Sequence, residues 1–225
     1  MIDARSAQIL EAVIEEFINA GEPVSSSHLY KRHNFGIKPA MIRLELENLS
    51  DEGFLEQPHH SAGRVPTDKG YEFFAERVLE AEMARHANNV HRIFRNMLTH
   101  RALPELVGEL SEELGLLSVG RDRKSLYKEG LDTLVENLNW TSDEEIRSVI
   151  KDFVEIDARL ARVAEKISPK DDPKVFVGKK SPVTKSENLT VVMRTCDSDE
   201  GRVLLLAIGP KRMDYRKTLE VFRNL

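Results

Sequence analysis

The residues best suited to chemistry in this chain are basic, hydroxyl-bearing and clustered in two short segments. In Lys38-Pro39-Ala40-Met41-Ile42-Arg43-Leu44-Glu45-Leu46-Glu47, the apolar positions 42, 46 and 49 recur at helical spacing. With that stripe inward, helical geometry turns Ala40, Arg43, Leu44 and Glu47 outward, and Lys38 and Met41 stand at the N-terminal end. A helix divided in this way can keep one face in a core and offer the other to the major groove of DNA. Arg43 suits a guanine edge or a phosphate, whereas Met41 and Leu44 can offer only apolar contacts, for example to thymine methyls. The second segment, His59-His60-Ser61-Ala62-Gly63-Arg64, has a tip small enough for a minor groove or a run of phosphates. Lys69 follows near a helix start, whose free N–H groups also bind phosphate. With Ser26, Ser27 and Lys31 from the preceding helix, these residues form the candidate DNA-contacting set. The plainer reading is that an arginine on an exposed helix is merely solvated, and that Leu44 packs on a neighbour.

Other chemistries find little support. The sequence contains no GxGxxG, P-loop, HExxH or Gly-x-Ser-x-Gly. Cys196, the one cysteine, follows an expected strand with no histidine nearby, which suits a buried thiol better than a nucleophile. Adjacent histidines on a loop, with no second ligand pair at a recognisable spacing, do not make a tetrahedral zinc site. No cofactor, metal or catalytic residue is expected.

The elements that must position these residues follow from the punctuation. Asp3 caps a helix bearing Leu10, Val13, Ile14, Phe17 and Ile18, and Gly21 ends it. Ser25-Ser26-Ser27 offers caps for a short helix to His33, and Asn34-Phe35-Gly36 is the turn. Pro39 suits the first turn of the third helix, which Gly53 closes. Phe54 to Gln57 and Arg64 to Pro66 read as two short strands around the His59–Gly63 tip, and Thr67-Asp68 starts another helix. Helix, helix-turn-helix, hairpin, helix is the winged helix-turn-helix order. The chain is then expected to stay helical from about Glu76 to Thr99, where Met83, Ala87, Val90, Phe94 and Met97 form a seam of about two heptads.

The remainder reads as α+β. Leu116 to Val119 is an expected strand, Gly120 to Ser125 a polar loop, and Ser142 with Glu145 a capping box. That box opens a long helix stopped at Ser168-Pro169. Three β-rich runs, 175–177, 189–193 and 203–208, precede a last helix from Tyr215 to Arg223. The expected domains are a winged helix-turn-helix at 1–75, a long connecting helix at 76–103 and an α+β domain at 104–225.

The chain has 225 residues, with 33 Lys and Arg against 38 Asp and Glu. A net charge of −5 excludes a histone-like coating of nucleic acid but leaves room for a local basic face. Residues 1–75 hold seven Lys and Arg against twelve Asp and Glu. Six of those seven basic residues lie at or after Lys31, so charge is segregated toward the candidate site. No apolar run approaches the roughly 20 residues of a membrane span, and one cysteine fits a reducing compartment. The expected location is cytoplasmic, with no membrane partner.

The stretch Leu55 to Tyr71, Leu-Glu-Gln-Pro-His-His-Ser-Ala-Gly-Arg-Val-Pro-Thr-Asp-Lys-Gly-Tyr, resembles the wing of the heat-inducible transcription repressor family, the HrcA type. Gly21 to Ser26 and Pro39 to Arg43 are similar to the family's first helices. Val175 to Gly178 and Ala207 to Tyr215 resemble its C-terminal GAF-like domain, and Tyr127 to Leu131 the segment before its long helices. The resemblance implies a homodimeric repressor that binds an inverted-repeat operator of double-stranded DNA at chaperone operons, with the chaperonin helping to keep it active. Two departures stand out. Where family members carry further sheet and an inserted dimerisation domain, only a short loop separates Val119 from Leu126, so the GAF-like domain is a reduced one. Met41 and Leu44 replace small polar residues, which puts the operator sequence in question. The competing reading is a protein-interaction or ligand-sensing module whose winged helix no longer binds DNA; an RNA-binding winged helix is weaker still.

Overall fold

A cap at one end and a left-handed glycine at the other define the first helix. Asp3 accepts hydrogen bonds from the Arg5 and Ser6 N–H groups, and Gly21 (φ 72°) ends α1, Ala4–Ala20. The computed structural model describes residues 2–82, 89–99, 102–138, 142–163, 172–199 and 201–225. By its internal contacts the chain forms two units, Met1–Arg77 and Val78–Leu225.

In the first unit α1 is followed by α2 (Ser26–Arg32) and α3 (Pro39–Asp51). Ser25 caps α2 through its hydroxyl, and Pro39 occupies the first turn of α3. Ile9, Leu10, Val13 and Ile14 of α1, Leu29 of α2, and Ile42, Leu46 and Leu49 of α3 are fully or almost fully buried. β1 (Leu55–Glu56) and β2 (Val65–Pro66) pair antiparallel, Leu55 opposite Pro66. α4 (Asp68–Glu82) follows and buries Tyr71, Phe74 and Ala75.

In the second unit a five-stranded, wholly antiparallel sheet has the order β4-β3-β7-β6-β5. Its strands are β3 (Leu117–Arg121), β4 (Leu126–Glu129), β5 (Lys174–Val177), β6 (Leu189–Ser198) and β7 (Gly201–Pro210). Side chains alternate along each strand. Leu117, Val119, Val191, Met193, Leu204 and Leu206 therefore share a core with α7 (Leu131–Asn137) and α8 (Asp143–Val163). The opposite face packs on α6 (Leu103–Leu114) and α9 (Tyr215–Asn224), with α5 (Asn89–Thr99) alongside. A Cβ on Gly120 would lie 2.5 Å from the Val107 side chain, so α6 sits directly on bare backbone there. Across the sheet on this face, the Thr190 and Tyr215 hydroxyls are 3.0 Å apart. The result is helices on both faces of an antiparallel sheet, an α+β arrangement.

Several expectations need correction. The polar loop is four residues long, because Gly120 and Arg121 belong to β3 and Leu126–Glu129 form β4. The Asp122 carboxylate accepts the Lys124 and Ser125 N–H groups, at 2.6 Å each, and closes the turn. Cys196 lies within β6, opposite Val203, rather than after it. Helices α6 and α7 are additional to the expected elements, although Leu103, Leu106, Val107 and Leu110 do recur at helical spacing. The expected start of the long helix agrees with the fold, since Ser142 accepts the Glu145 N–H (3.2 Å); the Glu145 carboxylate accepts the Asn188 amide. Of the expected seam after Glu76, Phe94 is buried and Met97 half-buried. Its first part, Met83 and Ala87, lies outside the described residues, as does the expected stop at Ser168-Pro169.

Candidate nucleic-acid interface

α3 gives the site its shape. Burial of Ile42, Leu46 and Leu49 leaves Lys38, Ala40, Met41, Arg43 and Leu44 exposed and Glu47 half-buried. Met41 and Leu44 keep 45% and 46% of their surface exposed, so neither is consumed by packing. Arg43 Nε donates to Glu47 Oε1 at 3.3 Å, one turn along the helix, which holds the guanidinium against the outward face. Both side chains are well solvated, so this pair is readily exchanged for a stronger acceptor.

The hairpin is closed by its own polar groups. Gln57 donates to the carbonyls of His60 (3.0 Å) and Ala62 (2.9 Å), and the Ala62 N–H returns to the His59 carbonyl. His59 Nδ1 and the Ser61 hydroxyl are 3.1 Å apart. The base of the hairpin is tied to the chain before α2, because Val24 and Arg64 exchange both backbone hydrogen bonds, at 2.9 and 2.8 Å. Gly63 makes that approach feasible: a Cβ there would stand 2.4 Å from the Val24 carbonyl carbon and oxygen.

Between α2, α3 and the hairpin lies a polar cleft of about 350 Å³. Ser26, Arg43, Glu47, His60, Ser61 and Arg64 line it, so six of the candidates meet in one place. Arg64 is half-buried, and its Nε donates to Ser50 Oγ (2.9 Å), which in turn donates to the Leu46 carbonyl. Arg64 therefore anchors the hairpin to α3 as well as facing the cleft. Ser27, Lys31 and His59 are exposed outside the cleft lining, as are Lys38, Ala40, Met41 and Leu44. Lys69 is occupied locally: its ammonium donates to the Glu52 carbonyl (2.7 Å) and sits 4.0 Å from the Phe54 ring centroid.

Two contributors escape the sequence reading. Gln57 shapes the tip, yet nothing in its spacing distinguishes it from a solvated strand residue. Glu16, spaced as a surface residue of α1, is buried and accepts hydrogen bonds from His28 and His33 at 2.9 Å each, with Arg32 Nε at 3.0 Å. Burial alone raises its pKa, but the hydrogen bonds from His28 and His33 and the Arg32 charge prevail, and the carboxyl is held below its ordinary value. The cluster clamps α2 to α1. Among the described residues, no group of three or more His, Cys, Asp and Glu side chains is arranged to hold a metal ion. Likewise no described helix is long and apolar enough to cross a membrane.

Fold and site together define an α+β protein of two units, whose N-terminal helices present one exposed helix face beside a hairpin tip. Residues 68–219 match the family model described as the HrcA protein C-terminal domain, and the chain belongs to the HrcA family. A heat-inducible transcription repressor HrcA of Clostridium perfringens is 42% identical over 118 residues, 52% of this chain and 34% of that protein. The protein of the same name from Frankia casuarinae is 46% identical over 78 residues, 35% of this chain and 23% of its own length. The chain thus matches about a third or less of the length of these relatives. Among solved structures, a hypothetical protein determined at 2.2 Å superposes with a TM-score of 0.80 over 99% of this chain and 95% of its own, at 16% identity. At that identity the likeness is one of fold.

Proposed function

We propose that the chain is a sequence-specific DNA-binding transcriptional repressor that acts as a dimer on an inverted repeat. Residues 1–75 are read as a winged helix-turn-helix, 76–103 as a connecting helical segment, and 104–225 as a reduced GAF-like regulatory and dimerisation domain. One observation carries the reading: the outward face of α3 is left to solvent while a hairpin tip frames it across a polar cleft. In this reading α3 enters the major groove, with Lys38, Ala40, Met41, Arg43, Leu44 and Glu47 toward the bases and Ser26, Ser27 and Lys31 toward the backbone. The hairpin, through His59, His60, Ser61 and Arg64, follows the flanking phosphates or minor groove. Lys69 has the smallest part, because its ammonium already has a carbonyl and a ring. The names of the relatives support a repressor of heat-shock genes, and the family resemblance adds the chaperonin as a partner.

The exposed apolar side chains of Tyr30, Met41 and Leu44 favour a second reading, a protein-docking winged helix. Selection from a pool of random duplexes separates the two. An enriched inverted repeat, bound less well by Arg43→Ala, supports the repressor. Failure to enrich any sequence, with the variant indistinguishable from the parent, favours docking.

A further inference from the structure

Charge divides α3 along its length. Its acidic residues, Glu45, Glu47 and Asp51, all follow Leu44, whereas residues 38–44 include Lys38 and Arg43 and no carboxylate. Glu45 accepts the Ser6 hydroxyl and Glu47 accepts Arg43. The phosphates flanking a major groove therefore favour entry of the N-terminal half. The exposed side chains in that half are Lys38, Pro39, Ala40, Met41, Arg43 and Leu44.

Two of these can read a base by hydrogen bonding, and both are cations, which suit the acceptors of guanine. None supplies the Asn or Gln amide that reads adenine. Met41 and Leu44 carry no polar group, yet each keeps almost half of its surface exposed. The one apolar group that base edges present in a major groove is the 5-methyl of thymine. Residues three apart are neighbours on a helix surface, here about 4.5 Å apart along the axis. The base-pair step is about 3.4 Å, so the two side chains suit adjacent base pairs. Lys38 and Arg43 beside them, with the exposed Lys31 on α2, match phosphate on both sides.

We infer that Met41 and Leu44 read the methyl groups of thymines at adjacent base pairs, next to the position that Arg43 contacts. Each half-site then carries two neighbouring A·T pairs, recognised from the thymine side. This deepens the proposed function and rests on it.

The test uses the full chain and the duplex enriched from the random pool, with thymine replaced by deoxyuridine one position at a time. The replacement removes the methyl and leaves every hydrogen-bonding group in place. Affinity is expected to fall about fourfold at each of two adjacent positions per half-site, the worth of one buried methyl group. At those positions a 5-methylcytosine·guanine pair should retain more affinity than an unmethylated one. Leu44→Ala should remove the deoxyuridine effect at one position and Met41→Ala at the other, with the circular dichroism spectrum of the parent. An enriched duplex whose affinity deoxyuridine leaves unchanged at every position overturns the inference while the repressor reading stands. An enriched half-site without adjacent A·T pairs does the same, as does a methyl effect that persists undiminished in both variants. If no duplex is enriched, the repressor reading falls and this inference with it.

Discussion

At the scale of single residues, partners separate positions of similar type. Arg43 has, among the described residues, a solvated i,i+4 partner in Glu47, while the Nε of Arg64 is committed to Ser50. Arg43→Ala should accordingly cost about 1–3 kcal/mol of DNA affinity and relax preference at one base position, with little change in stability. Arg64→Ala should weaken DNA binding and also lower the melting temperature; a pure binding effect would mean that the Ser50 bond contributes nothing. Glu16 carries a pH prediction. A carboxyl whose folded pKa lies below its unfolded value adds stability that is complete above the unfolded value and is lost as pH falls through the folded one. Glu16→Gln should therefore lower stability at neutral pH by about 1–3 kcal/mol, and the difference from the parent should shrink in acid below the ordinary carboxylate range. Urea melts at several pH values check this. Burial pushes the Cys196 thiol up to about 11, outweighing the nearby Arg194, so a thiol reagent at neutral pH should react only as the chain unfolds. Rapid labelling of the folded protein would contradict that burial.

At the scale of elements, the devices written locally are readable and the tertiary ones are not. Asp3, Ser25 and Pro39 announce helix starts through their own side chains, and these starts agree with the fold. β4 escapes because Leu126–Glu129 has two charged residues in its four-residue span and becomes a strand by pairing with β3. Glu16 and Asp152 escape for the same reason, since their roles exist only once distant segments meet, whereas Gln57 bonds carbonyls three and five residues on and escapes because nothing in its type or spacing marks it. Asp152, buried on α8, accepts the N–H groups of Lys185 (2.7 Å) and Ser186 (2.8 Å) and pairs with Arg159, pinning the segment before β6. Asp152→Ala leaves Arg159 and two amides without that acceptor and should cost about 3–5 kcal/mol, read by denaturant unfolding. In the first unit, Gly63→Ala places a methyl against rigid backbone and should break the Val24–Arg64 bridge. Faster proteolysis of the hairpin is the expected readout, with helical content retained.

At the scale of the whole molecule, charge decides what kind of DNA binder this chain can be. A net charge of −5 gives no general attraction to phosphate, so on the proposed reading binding comes from the basic residues at or after Lys31, acting locally and in two copies. Two copies engaging roughly six phosphates lose about a thousandfold in affinity between 50 and 200 mM salt. The measurement that bears most directly on this is an anisotropy titration at those two salt concentrations. It compares a labelled duplex carrying the inverted repeat of the HrcA family with a half-site and a scrambled duplex. Preference for the full repeat, with a steep fall in affinity as salt rises, is the predicted result. No binding to any of the three duplexes, even at the lower salt, would contradict the repressor reading.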